Sequence, residues 1–176
     1  MRKVIKTLTA LLVSVLTAFS FVSCTLNSLF PPKTFTKEGM SITLTVLFEE
    51  KEYEDQTVCY YSPGVVVFAL KEEFSKTEGL REFSLDDYAS AVISVGELDC
   101  EYAFSEKGYA YFEYAKELDG NQYNMYATCH KTEDAFWLIQ FACFTESYEK
   151  LKPEVLSFAE SIVFGEETAL ESEMNS

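Results

Sequence analysis

The chain has 176 residues, with 29 acidic side chains against 14 basic ones, a single histidine and a formal net charge of −15. A surface this acidic repels phosphate backbones, which argues against nucleic acid as a partner. Its 48% apolar residues suffice for one domain with a real core, and any catalytic triad or imidazole-based metal site must use His130 or do without one.

The first element is a leader. Arg2, Lys3 and Lys6 precede an apolar, small-residue run from Thr7 to Val22, sixteen residues long and short of the roughly 20 that a spanning helix needs. This is the pattern of a secretory signal over residues 1–23. The four residues that follow from Phe21, Phe21-Val22-Ser23-Cys24, resemble the bacterial lipobox. That resemblance implies cleavage before Cys24, lipidation of its thiol and attachment to the extracytoplasmic face of the cell membrane. Each buried acyl methylene adds about 0.8 kcal/mol, so several chains hold where one does not. Loss of the leader leaves 153 residues at a net charge of −18, because three basic residues leave with it and no acidic one does.

Residues 24–34 read as a spacer, stiffened by Pro31 and Pro32. The folded domain is expected over 35–164, with an acidic tail at 165–176. "MSITLTVLF" (40–48) alternates apolar and polar positions, the period of a half-buried strand. "EEKEYEDQ" (49–56) is a charged loop. Two β-rich runs flank Ser62-Pro63-Gly64, and the second is apolar from Val65 to Leu70, as for a strand covered on both faces. Ser84 and Asp87 then predict a capped helix, with Tyr88, Ala91, Val92 and Val95 on its buried side and Gly96 at its end. Four strands follow: "CEYAF", "YAYFEYA", "YNMYATCH" and "AFWLIQFACF". Val155, Phe158, Ala159 and Ile162 mark a last helix with Pro153 in its first turn. Helices segregated around an antiparallel sheet make the fold class α+β.

"EGMSITLTVLF" (38–48), "VVVFALKEEF" (65–74), "SLDDYASAV" (84–92) and "AFWLIQFAC" with "PEVLSFAESIVF" (135–164) together resemble small bacterial lipoproteins of the PsbP-like, DcrB-type fold. The same fold serves the extrinsic PsbP subunit of photosystem II and a Ran-binding nuclear import factor. The resemblance implies an antiparallel β-sheet flanked by helices on both faces, an α/β/α sandwich. It also implies action by binding partners rather than by chemistry, and it carries no functional residue over to this chain.

If Cys24 bears lipid, Cys59, Cys100, Cys129 and Cys143 remain, and four cysteines allow three complete pairings. The core is rich enough not to need them, which favours buried free thiols for most of the four and leaves any pairing open. His130 and Cys129 are neighbours on one strand and point to opposite faces. If residues 131 and 134 close the hairpin, Cys143 falls opposite residue 122, more than about 20 Å along the strand from His130. Neither a shared metal ion nor a Cys129–Cys143 bridge fits that register. The acidic run Glu49, Glu50, Glu52, Glu54 and Asp55 lacks the spacing and central glycine of a calcium loop. Nor does any serine sit in a nucleophile elbow. No metal, cofactor or catalytic residue is therefore assigned.

Tyr109, Tyr111, Tyr123 and Tyr126 are the candidate partner-binding surface, because a tyrosine offers an apolar ring and a wet hydroxyl. The expected function is a membrane-anchored lipoprotein of the cell envelope that binds an envelope protein or a small apolar or sugar ligand. An envelope hydrolase with a site that the sequence does not reveal, or a structural component of the envelope, are the alternatives.

Overall fold

Strand formation dominates the chain once it leaves the spacer. In a computed structural model the described residues are 30–53, 56–118 and 120–165. The leader, Cys24, residues 25–29, Glu54, Asp55, Asp119 and residues 166–176 lie outside them. Strands β3 (Glu49–Lys51), β4 (Val58–Tyr61), β5 (Val66–Glu73), β6 (Ala103–Phe104), β7 (Ala110–Leu118), β8 (Asn121–Lys131) and β9 (Ala135–Phe144) form one antiparallel sheet in the order β3-β4-β5-β9-β8-β7-β6. A second sheet holds β1 (Pro32–Lys37), β2 (Met40–Thr45) and β10 (Val163–Phe164) in the order β1-β2-β10. Helix α1 spans Leu85–Val95 and helix α2 spans Thr145–Glu160. The fold is α+β.

Both faces of the large sheet are covered, and the alternation along its central strands assigns each side chain to one of two cores. Val67 and Ala69 of β5 and Trp137, Ile139 and Phe141 of β9 pack with Phe35, Met40, Ile42 and Leu44 of the small sheet and with Tyr148, Val155, Phe158 and Ala159 of α2. Phe112, Met125, Cys129 and Phe136 face the other way, against Tyr88 and Ala89 of α1. Val66 and Phe68 also turn to that second core, so the unbroken apolar run of β5 is explained by burial on both sides.

Helix α1 starts where its cap predicts. The Ser84 hydroxyl accepts from the Asp87 amide at 3.1 Å, and the Asp87 carboxylate accepts from the Ser84 amide at 2.9 Å, a reciprocal capping box. Ser84→Ala should cost about 1 kcal/mol of stability in urea unfolding; a loss below a few tenths would mean that α1 is held by Tyr88 and Ala89 alone. Its last turn differs from expectation. Val95 is 85% exposed, and the chain leaves the sheet instead through Leu98 and Cys100, which pack on the second core.

Four further boundaries depart from the sequence reading. Pro32, Lys33 and Thr34 belong to the edge strand β1, paired with Thr45, Leu44 and Thr43, and are not free spacer. Proline is tolerated at the first residue of an edge strand, where no ladder bond needs its missing amide. The run 40–48 is not one strand: Phe48 donates to the Thr45 carbonyl at 3.2 Å, closing a turn with Val46 and Leu47 at its corners. The "CEYAF" strand shrinks to Ala103–Phe104. Finally, α2 begins at Thr145, so Pro153 lies inside it. A proline there removes one hydrogen bond to the preceding turn; its exposed position and the buried Tyr148, Val155 and Phe158 on either side keep the helix continuous.

The free thiols follow the sheet register. Among the described residues Cys59, Cys129 and Cys143 are buried and Cys100 is half-buried, all unpaired with one another. Lys131 pairs with Phe136, so Cys129 lies opposite Leu138 and Cys143 opposite Asn124. That is a two-residue slip from the expected register, and an even slip leaves every side chain on its predicted face. Burial pushes the Cys143 thiol up to about 11 and the Cys129 thiol up to about 12, so neither is a thiolate at neutral pH.

Candidate functional site

The main cleft opens between two hairpin turns, β1–β2 and β8–β9, and the ends of β5 and β10. Its volume is about 620 Å³, within the range of small-ligand sites. Trp137 and Phe164 form an aromatic floor, their ring centroids 5.5 Å apart. Trp137 comes from the buried side of β9. Phe164 is placed beside it because β10 pairs with the start of β2, Phe164 opposite Met40.

Lys71 supplies the cation. It is the first charged residue after the apolar run of β5, opposite Trp137 in the ladder, and its ammonium lies 5.7 Å from the Trp137 ring centre. That ammonium pairs with the Asp134 carboxylate at 3.0 Å. The lysine side chain is 15% exposed and the aspartate 65%, so the carboxylate sits at the mouth and the ammonium inside. The hydroxyl of Thr132 donates to Asp134 at 2.8 Å, and with Lys71 it holds that carboxyl below the usual range. Lys131 also lines the cleft but commits its ammonium elsewhere, donating to the carbonyls of Phe83 at 2.6 Å and Arg81 at 3.0 Å. Glu38 and Glu133 complete an otherwise acidic rim.

The rim is built from tight backbone. Glu38 and Gly39, the two turn residues between β1 and β2, have φ of 52° and 84°, the mirror-image hairpin turn that suits the strand twist. Gly39 is doubly constrained, since a Cβ there would stand 3.1 Å from the Gly165 carbonyl.

His130 lies just beneath this floor. Its ring sits 5.1 Å from Phe164 and 5.0 Å from Tyr109, with the Thr128 hydroxyl 3.1 Å from Nε2. Loss of hydration among these rings lowers its pKa from 6.5 to about 4, so the imidazole is neutral at physiological pH. No group of three or more His, Cys, Asp or Glu side chains converges as a metal site among the described residues.

The register divides the four candidate tyrosines between the two faces of the sheet. Tyr109 and Tyr126 are buried, 8% and 2% exposed, and Tyr111 and Tyr123 are half-buried. Glu113 pairs with Tyr126 and Tyr111 with Thr128, which sets Tyr111 and Tyr126 diagonally on the face covered by α2, their rings stacked at 5.8 Å. Tyr123 faces the opposite core and stacks on Phe144 at 4.8 Å. The four rings are packing groups on two faces and do not form one surface. Sequence reasoning missed Lys71, Asp134 and Phe164. The signal available for the first two was a charge ending an apolar strand and an acidic hairpin tip; only the sheet pairing brings them together.

No protein-family model matches the chain, and no curated protein matches it. Among solved structures it is similar to the solution structure of cyanobacterial PsbP (CyanoP) from Synechocystis, with a TM-score of 0.53 and 11% identity over 77% of this chain and 92% of that one. A crystal structure from Bacteroides thetaiotaomicron gives a TM-score of 0.51 and 14% identity over 77% of this chain. The match covers 49% of that longer protein, so the chain spans about half its length. The Ran-binding protein Mog1p of Saccharomyces cerevisiae gives a TM-score of 0.48 and 7% identity over 77% of this chain and 96% of that one. The fold is PsbP-like, and at such identities the likeness is one of architecture.

Proposed function

We propose that this PsbP-like domain is a lipid-anchored, extracytoplasmic binding module whose ligand site is the cleft over Trp137 and Phe164. The observation that carries the ligand site is the cleft itself: a concave aromatic floor beside one largely buried ammonium that is paired at the mouth by an exposed carboxylate. Such a site takes a small ligand or a protruding chain end with an apolar edge for the half-buried Phe164 ring, beneath which Trp137 is packed at 1% exposure. A polar or anionic group on the same ligand would exchange with Asp134 for Lys71. Sugars and aromatic acids have that chemistry. The lipid anchor rests on the leader and on Phe21-Val22-Ser23-Cys24. Within the described residues no helix is long and apolar enough to cross a membrane.

Trp137 is the chain's one tryptophan, so its emission reports the cleft directly. Titration with soluble envelope glycans and with aromatic carboxylic acids should give a saturable change for one of these classes. Lys71→Ala should then weaken that binding about tenfold, the equivalent of one lost charge-assisted hydrogen bond. A flat response to both classes, or an affinity indifferent to Lys71→Ala, would remove the cleft as the ligand site.

A further inference from the structure

A second surface feature lies where the chain enters the domain. Phe30, Val46 and Leu47 are 41%, 46% and 44% exposed. They are neighbours in space, because the Val46 amide donates to the Pro31 carbonyl at 3.0 Å and Pro32 pairs with Thr45. Val46 and Leu47 occupy the two corners of the Thr45–Phe48 turn, positions that ordinarily take Gly, Asn, Asp, Ser or Pro. Neither side chain serves the fold there: Phe48, the next residue, is the one that turns inward, edge-on to Phe158 at 5.5 Å. A turn built from valine and leucine, set beside an exposed phenylalanine, leaves apolar surface facing water at one corner of a highly acidic molecule.

The position of this corner relative to Cys24 gives the apolar surface a partner. Lys33 is the one charged residue of β1 near this end, since Lys37 and Glu38 lie at the other end of the β1–β2 hairpin, and Glu49 and Glu50 follow Phe48. Cys24 lies only six residues before Phe30. Six residues span at most about 20 Å when fully extended. The polar interfacial layer of a bilayer is itself roughly 5–8 Å deep on each side. A lipid on Cys24 therefore keeps this corner within about 20 Å of the membrane surface.

We infer that Phe30, Val46 and Leu47 form a membrane-contacting tip that enters the phospholipid interface beside the anchor and fixes the orientation of the domain. The inference rests on the proposed acylation of Cys24. It leaves the cleft turned away from the bilayer, since Met40 and the Glu38-Gly39 turn lie at the opposite end of β2 from Thr45. A single lipid anchor permits any tilt; apolar side chains in the interface select one.

The full chain, purified from membranes in detergent, is reconstituted into phosphatidylcholine vesicles with and without brominated acyl chains, and mass spectrometry records whether Cys24 carries lipid. A Leu47→Trp variant adds an emitter at the tip. Glu101→Trp adds one on the α1 side of the sheet, and buried Trp137 is the internal reference. With Cys24 acylated, the added Leu47→Trp emission should fall about twofold in brominated vesicles while the Glu101→Trp emission is unchanged, as for a side chain at the headgroup–acyl boundary. Acylated protein whose two variants are quenched alike overturns the tip and leaves the anchor standing. So does acylated protein that runs as a dimer with the Leu47→Trp emitter shielded from bromine. Protein that lacks lipid yet shows the Leu47→Trp quenching sustains the tip and removes the anchor; protein with neither overturns both.

Discussion

Replacing Phe136 with alanine should destabilise the domain by about 3–5 kcal/mol, the largest single effect expected outside a double substitution. Phe136 is fully buried on the α1 face of β9. Its ring lies parallel to Tyr88 at 4.2 Å and edge-on to Phe74 at 5.3 Å, with the Lys131 ammonium 5.2 Å from its centre. Tyr88 in turn donates its hydroxyl to Glu72, so this one ring links α1, β5 and β9. Truncation leaves a cavity between a helix of only eleven residues and a rigid sheet, which cannot close over it. Guanidinium unfolding followed by far-ultraviolet circular dichroism measures the loss, and a change under about 1 kcal/mol would mean that α1 repacks without this anchor.

The second prediction concerns acid. His130 has a folded pKa of about 4 against 6.5 when hydrated. Between those values the unfolded chain binds more protons than the folded one, so stability rises with pH through this window and is flat above it. On acidification, the contribution begins to fall near pH 6.5, with about 2 kcal/mol lost by pH 5 and about 3 by pH 4. The side groups facing the imidazole are the rings of Tyr109 and Phe164 and the hydroxyl of Thr128, none of which offers a countercharge. Glu113 and Asp134, held low by Lys152 and Tyr148 and by Thr132 and Lys71, lose their share only below the ordinary carboxylate range. Glu154, raised by burial, acts in the opposite sense as pH falls. The difference between wild type and His130→Phe isolates the histidine. Unfolding free energies at pH 7, 6 and 5 should converge on a flatter profile for the variant, and equal slopes would show the ring to be hydrated in the folded state.

The sheet was readable in the sequence because burial on one or two faces writes a period into it. Val65 to Leu70, the alternation from Met40 to Thr45 and the aromatic β9 run all carry that signal, and each became a strand. Ser84 and Asp87 marked α1 for an equally local reason, two side chains bonded to backbone within one turn. What stayed hidden depends on distant partners. The β1 strand opens on a proline and alternates lysine, threonine and one phenylalanine, and only its ladder to β2 makes it a strand. Val46 and Leu47 look like more strand until Phe48 folds back towards Phe158. The candidate site was the least legible part, since Lys71, Asp134 and Phe164 are separated by many residues and meet only through the β5–β9 and β2–β10 pairings. Conversely, the tyrosines caught attention by number, and which of them are buried follows from a hairpin register that composition does not encode.

The proposed anchor stands or falls on the chemical state of Cys24. Intact-mass and peptide mass spectrometry of the protein isolated from its own membranes tests this most directly. The expected result is a mature chain that begins at Cys24 with a thioether-linked diacylglycerol, and that becomes unlipidated and unprocessed in Cys24→Ser. A chain that still begins at Met1 with a bare Cys24 thiol would contradict it.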